Sequence, residues 1–138
     1  MLPPHTVLHQ PEALAAYECD GLTAYRRSPR IVCLPETVDQ IRSILRFCHE
    51  HGATVVARGA GTGLSGGALP DEYGVLLSLA RFNRILEIDA DNRLARVEPG
   101  VRNLAVSEAA APYGLYYAPD PSSQIACTIG GNIAENSG

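Results

Sequence analysis

Hydrophobic positions in this chain fall in short runs bounded by proline, glycine and charge. The run Arg30-Ile31-Val32-Cys33-Leu34, closed by Pro35, predicts a buried strand. Thr37 with Gln40 three positions on predicts a capped helix. Ile41, Ile44, Leu45 and Cys48 then share one helical face, and Gly52 marks the stop. Ala53 to Ala57 predicts a second strand, so strand, helix and strand read as a βαβ unit with a right-handed crossover. Gly74 to Leu79 predicts a third buried strand. Arg84–Asp89 and Arg93–Glu98 predict a hairpin turning at Asp89-Ala90-Asp91-Asn92, with Leu86 and Ile88 sharing one face of its first arm. Asn103 is placed to cap a helix through Leu104, Val106 and Ala109 to Ala111, with Pro112 near its end and Gly114 past it. A short helix is expected at about Glu12 to Tyr17, in an otherwise mixed and loose N-terminus, and Leu115 to Ser123 reads as loop.

Composition narrows the chemistry. A chain of 138 residues with 46% hydrophobic and 19% charged positions suits one compact domain. All 11 basic residues are Arg, which excludes a Schiff-base lysine and the P-loop lysine. The net charge of -4, with Arg scattered among acids, argues against a nucleic-acid binder. Cys19, Cys33, Cys48 and Cys127 show neither a CxxC pair nor metal-ligand spacing, so reduced thiols and no metal site are expected. His49 and His51 sit at a helix end, where they complement the dipole; His5 and His9 precede the first strand. No apolar run approaches the roughly 20 residues of a spanning helix, and the start lacks a signal-peptide pattern. The expected location is cytoplasmic, with a peripheral position at the inner membrane face as a second reading.

The most informative stretch is Arg58-Gly59-Ala60-Gly61-Thr62-Gly63-Leu64-Ser65-Gly66-Gly67, five glycines in ten residues directly after a strand. Bare backbone allows N–H groups to close around phosphate oxygens as a nest. Thr62 and Ser65 add hydroxyls, and Arg58 adds positive charge beside the nest. Gly61-x-Gly63-x-x-Gly66 matches the dinucleotide fingerprint, but that motif needs a helix to start in the loop. Gly66-Gly67-Ala68-Leu69-Pro70 shows no helical character, so the loop is expected to bind through its own backbone. A surface turn without a ligand is the alternative. A second cluster, Thr128-Ile129-Gly130-Gly131-Asn132 with Asn136-Ser137-Gly138, reads either as a ligand approach or as a helix start capped by Asn132.

In this order the two clusters, with Pro99-Gly100-Val101 between them, resemble the FAD-linked oxidases of the vanillyl-alcohol oxidase superfamily. Tyr17-Glu18-Cys19-Asp20-Gly21, Ala80-Arg81-Phe82-Asn83-Arg84-Ile85 and Tyr117-Ala118-Pro119-Asp120-Pro121-Ser122-Ser123 look like its branch of bacterial glycolate oxidases and D-lactate dehydrogenases. The resemblance covers nearly the whole chain. It implies an α+β fold of the PCMH type, a small α/β subdomain plus the start of a second. It further implies that Arg58, Gly59, Ala60, Gly61, Thr62, Gly63, Leu64, Ser65 and Gly66 hold the pyrophosphate of FAD. Pro99, Gly100, Ser123, Thr128, Gly130, Gly131, Asn132, Asn136 and Gly138 match its later flavin contacts. Relatives that attach FAD covalently use a loop histidine; Thr62 stands at that position, so non-covalent FAD is expected.

The implied reaction oxidises a 2-hydroxy acid, glycolate first and D-lactate next, by hydride transfer to flavin N5 while a base takes the hydroxyl proton. Implied partners are that acid and further subunits, one an iron–sulfur protein. The expectation is that residues 1–138 form the N-terminal part of an FAD-binding domain whose remainder, with the substrate domain, lies beyond Gly138. No catalytic residue is therefore assigned, and the piece alone is expected to be inactive and prone to self-association. Two other readings compete: a complete, non-catalytic phosphate- or nucleotide-binding module, and a nicotinamide-dependent dehydrogenase, which the missing helix disfavours.

Overall fold

A computed structural model of the chain describes residues 2–137. The chain divides after Arg81 into two compact units.

The first unit is built on a four-stranded sheet. Strand β1 (Val7–Leu8) precedes the short helix α1 (Pro11–Leu14), which continues as a 3-10 turn through Tyr17. Then come β2 (Ile31–Cys33), helix α2 (Val38–His51), β3 (Val55–Arg58) and β4 (Val75–Ser78). The sheet order is β1-β2-β4-β3; β1 pairs antiparallel to β2, and the other pairings are parallel. The expected strand–helix–strand unit is present, but its two strands are not neighbours. The chain returns after the glycine loop to insert β4 between them, giving each parallel strand of the unit a partner. The pairing of β1 with β2 was not anticipated either, because two residues are too few to show a period. The N-terminus is thus tied into the sheet rather than loose, and His5 reaches Glu36 at 3.3 Å.

The period of two along each strand sorts the side chains between two faces. Ile31, Cys33, Val55, Val75 and Leu77 meet Ile41, Ile44 and Cys48 of α2 on one face. Val32, Val56 and Leu76 meet Leu8, Leu14 and Tyr17 on the other. Both faces are covered, which is why these strands read as continuous apolar runs. Burial pushes the Cys33 thiol up to about 11, with help from Cys48, so this pair is core and not nucleophile. Among the described residues all four cysteines are free.

Helix α2 follows its capping signals. The Thr37 hydroxyl accepts the Gln40 amide at 3.3 Å, and the Gln40 side chain accepts the Glu36 amide at 2.7 Å. Gly52 closes the helix at φ 64°. The apolar stripe is narrower than expected: Leu45 is exposed, because the sheet contacts only the Ile41-Ile44-Cys48 line. At the C-terminus His51 stacks on Phe47 with ring centroids 4.2 Å apart, and its Nδ1 donates to the Phe47 carbonyl.

The second unit opens with the hairpin of β5 (Ile85–Asp89) and β6 (Leu94–Val97). Its turn is held by the Asp89 carboxylate, which accepts the amide and side chain of Asn92. An irregularity between Ile85 and Glu87 breaks the alternation there. Ile85 therefore faces the unit's core and Leu86 is turned to solvent, contrary to the expected alternation. Helix α3 (Asn103–Ala110) and helix α4 (Ile129–Glu135) follow. Val101, Val106 and Ile129 form the core with Ile85 and Val97. Glu98 is buried at the hairpin base, where it accepts the Arg84 backbone amide at 2.8 Å and the Arg84 guanidinium at 2.7 and 3.1 Å.

Two outcomes follow from this packing. Thr37→Ala removes one partner of an otherwise orphaned helix amide and should lower unfolding free energy by about 1 kcal/mol. Urea denaturation checks it, and an unchanged midpoint contradicts the cap. The hydrogen bonds from Arg84 hold the Glu98 carboxyl below the usual carboxylate range. Its folded value lies below its unfolded one, so its stabilisation is full above the unfolded value and is lost as pH falls through the folded one. Glu98→Gln should flatten that acid limb, leaving neutral-to-acid midpoints closer together than in the parent chain.

Candidate functional site

In the first unit β3 delivers the chain into the glycine loop, and no helix intervenes before β4. The loop lies at the carboxyl end of a parallel strand, where open α/β sheets carry their ligands. Gly61 and Gly66 adopt φ values of 71° and 77°, which side chains rarely tolerate. Gly21, from the segment after α1, packs directly on the loop. A Cβ there would come within 2.5 Å of the Thr62 carbonyl oxygen and 2.8 Å of that of Gly63.

That contact orients the backbone. In a planar trans peptide the carbonyl and the following N–H point in opposite directions. With the carbonyls of Thr62 and Gly63 turned onto Gly21, the amides of Gly63 and Leu64 point away from it. Among the described residues, the amides of Gly61, Gly63 and Leu64 have no protein acceptor. Leu64 is exposed, and Gly61 and Gly63 are half-buried. Backbone amides without acceptors are the groups that an anion can use.

Arg58 lies beneath the loop and not on its rim. It is 9% exposed. Its Nη1 donates to the Cys19 carbonyl at 2.8 Å, with longer contacts of 3.4 Å to the carbonyls of Tyr17 and Ala68. The guanidinium carbon stands 5.6 Å from the centre of the Tyr17 ring. Gly59, Ala60, Thr62 and Ser65 accompany it in sequence through the loop.

The remaining predicted residues belong to the second unit, where the structure brings several together. The Gly130 amide donates to the Pro99 carbonyl at 2.8 Å, and that of Ile129 to the Val101 carbonyl at 2.9 Å. Arg102 and Thr128 form an isolated bridge. Pro99 and Gly100 therefore lie alongside Thr128 and Gly130. A Cβ on Gly130 would come within 2.8 Å of the Pro99 Cβ, so the two segments meet only because that residue is glycine. The Ser123 carbonyl accepts the amides of Ala126 and Cys127 and shapes the turn leading to Thr128.

Two capping expectations are corrected. Thr128, not Asn132, stands at the N-cap of α4, and Gly130, Gly131 and Asn132 are inside the helix. Asn103 is the first residue of α3 rather than its cap; its buried side chain donates to the Pro119 carbonyl at 3.2 Å. Asn136 closes α4 in the left-handed region at φ 52°, and Gly138 lies outside the described residues. Thr128 Oγ1 and Asn132 Nδ2 are buried with no protein partner, as is Asp20 Oδ2 in the first unit. Buried polar atoms are nearly always satisfied, so ordered water or a bound group would complete the bonding of these atoms.

The comparisons with known proteins agree with this chemistry. Residues 29–138 match the family described as an FAD binding domain, and the chain belongs to that family. FAD is therefore its cofactor class. The loop's amides without acceptors fit such a group. The chain is 63% identical over 96% of its length to the glycolate oxidase subunit GlcD of Escherichia coli (strain K12). It is 47% identical over 88% of its length to the subunit of the same name from Bacillus subtilis (strain 168). It spans 26% of each of those curated relatives. Among solved structures, an alkyldihydroxyacetonephosphate synthase matches 97% of this chain and 27% of its own at TM-score 0.84 and 18% identity, a likeness of fold. The expected α+β, PCMH-type fold is thereby established.

The sequence reading missed the segment from Tyr17 to Gly21 as a support of the loop. The signal was available: Val56 and Arg58 share a face of β3, and that face carries Tyr17. Gly130→Ala should force Pro99 and α4 apart, at about 1–3 kcal/mol. Denaturant unfolding measures this, and a wild-type midpoint contradicts the close approach.

Proposed function

We propose that this chain is the N-terminal part of the FAD-binding domain of a longer 2-hydroxy-acid oxidoreductase, with glycolate its substrate. The observation that carries this reading is a loop whose Gly61, Gly63 and Leu64 amides lack acceptors, in a chain so similar to glycolate oxidase subunits. The loop from Arg58 to Gly66 would serve the pyrophosphate. Pro99, Gly100, Ser123, Thr128, Gly130, Gly131, Asn132, Asn136 and Gly138 would serve the rest of the flavin. Thr62 offers no imidazole for attachment, which supports non-covalent FAD. When bound, FAD supplies the two-electron acceptor.

This chain's own task is to bind and orient; the base that takes the hydroxyl proton would come from the remainder of the longer protein. The reading extends to partners: the similar proteins are named subunits, and an iron–sulfur protein is a fitting electron acceptor. Among the described residues no helix is long and apolar enough to cross a membrane. We place the protein in the cytoplasm, at most peripheral to the inner membrane face.

The test uses the longest reading frame containing the chain. Purified protein should show the visible flavin absorption, which anaerobic glycolate bleaches faster than D-lactate. Acid precipitation should release the flavin into the supernatant. Absence of flavin after reconstitution with FAD, or bleaching by neither acid, would overturn the assignment.

A further inference from the structure

We infer that Arg58 and Gly21 are positioning residues that set the direction of the loop's amides, and that Arg58 does so without touching phosphate. The inference rests on the reading of the loop as the diphosphate site. It assigns the segment from Tyr17 to Gly21, which precedes the family match at residue 29, a share in cofactor affinity.

A guanidinium carries five N–H donors and no acceptor, in a rigid plane. Here one of its nitrogens, Nη1, donates to the Cys19 carbonyl at 2.8 Å and reaches those of Tyr17 and, from the far end of the loop, Ala68 at 3.4 Å. One side chain thus ties the end of β3, the N-terminal segment and the loop's return. Gly61 lies against the same group, since a Cβ on it would fall 2.6 Å from the guanidinium carbon. Arg58 is therefore the floor on which the loop rests.

Gly21 completes the arrangement. The Cys19 carbonyl bonded by Arg58 is two residues from Gly21, whose Cα receives the carbonyls of Thr62 and Gly63. Carbonyls collect on the inner side, around a buried cation and a residue without a side chain. Peptide planarity then sends the Gly63 and Leu64 amides outward. A loop of this glycine content has many alternative conformations, and selecting one in advance reduces the ordering cost at binding. The buried charge also lends positive potential to the nest, but that contribution would survive in lysine. The guanidinium plane against which Gly61 lies would not.

The experiment separates these contributions in the longer protein. Arg58→Lys keeps the charge and loses the planar group beneath Gly61; Gly21→Ala keeps Arg58 and displaces the Thr62 and Gly63 carbonyls. Each should raise the FAD dissociation constant about tenfold, the scale of one lost charge-assisted hydrogen bond. The readout is flavin fluorescence, with ADP as a competing probe that carries the diphosphate alone. Each should also speed thermolysin cleavage before the exposed Leu64 in flavin-free protein, whereas Gly130→Ala, which also lowers the urea midpoint, should leave that cleavage unchanged. Arg58→Ala should be cleaved fastest, and if it fails to fold the other two variants still decide the matter.

Unchanged cleavage and unchanged FAD and ADP affinity in both conservative variants would overturn the inference. So would a loss of affinity in Arg58→Lys with loop cleavage unchanged, since that pattern belongs to a direct phosphate contact. Failure of the parent protein to take up FAD or ADP would instead overturn the proposed function; loop cleavage would still report whether Arg58 and Gly21 order the segment.

Discussion

A peptide unit cannot turn its carbonyl inward without turning the next amide outward, and the first unit is arranged around that constraint. The carbonyls of Thr62 and Gly63 pack where a side chain at Gly21 would lie. The carbonyls of Cys19 and Ala68 are held by Arg58. What remains on the open side is a run of donors without acceptors. Glycine recurs because a side chain at 21 or 61 would occupy space already taken. The parallel sheet and α2 supply the rigid edge from which the loop departs, and β4 fixes its return.

The second unit solves a related problem with different means. Glu98, Asn103, Thr128 and Asn132 are its buried polar residues among those described, and Thr128 Oγ1 and Asn132 Nδ2 are left without protein partners. The ladder linking Pro99–Arg102 to Thr128–Gly130 brings two distant segments into register. Glycine at 130 permits the approach. Glu98 anchors the hairpin base immediately before Pro99, so the acid-sensitive pair with Arg84 lies next to this ladder. In both units close backbone approach, rather than a catalytic side chain, is the chemical resource. That suits a chain that binds a cofactor and would leave proton transfer to residues elsewhere.

Much of this was legible in the residues. The run from Arg30 to Leu34, the Thr37–Gln40 cap, Gly52 and the Asp89–Asn92 turn each correspond to an element or a turn in the structure. These features depend on neighbours within a few positions, so a linear reading reaches them. Leu45 and Leu86 read as inward-facing and are not. Which side of a helix is covered, and where a strand is irregular, depends on partners far away in sequence. Asn103 and Asn132 were read as caps from residue type, although burial draws both into helices.

The sequence alone determined that the chain carries a glycine-rich loop after a β-strand, with no lysine to meet a phosphate. Local spacing suffices for that, because five glycines in ten residues exclude both a helix and a packed core at that point. Only the tertiary structure decided where the charge of Arg58 goes. Read along the chain, Arg58 adjoins the loop and looks like its ligand-binding cation. In space the strand's alternation turns it to the face of Tyr17, where carbonyls from residues 39 and 41 positions away surround it. A contact over that separation is set by how the N-terminal segment crosses the sheet, and no local pattern encodes it.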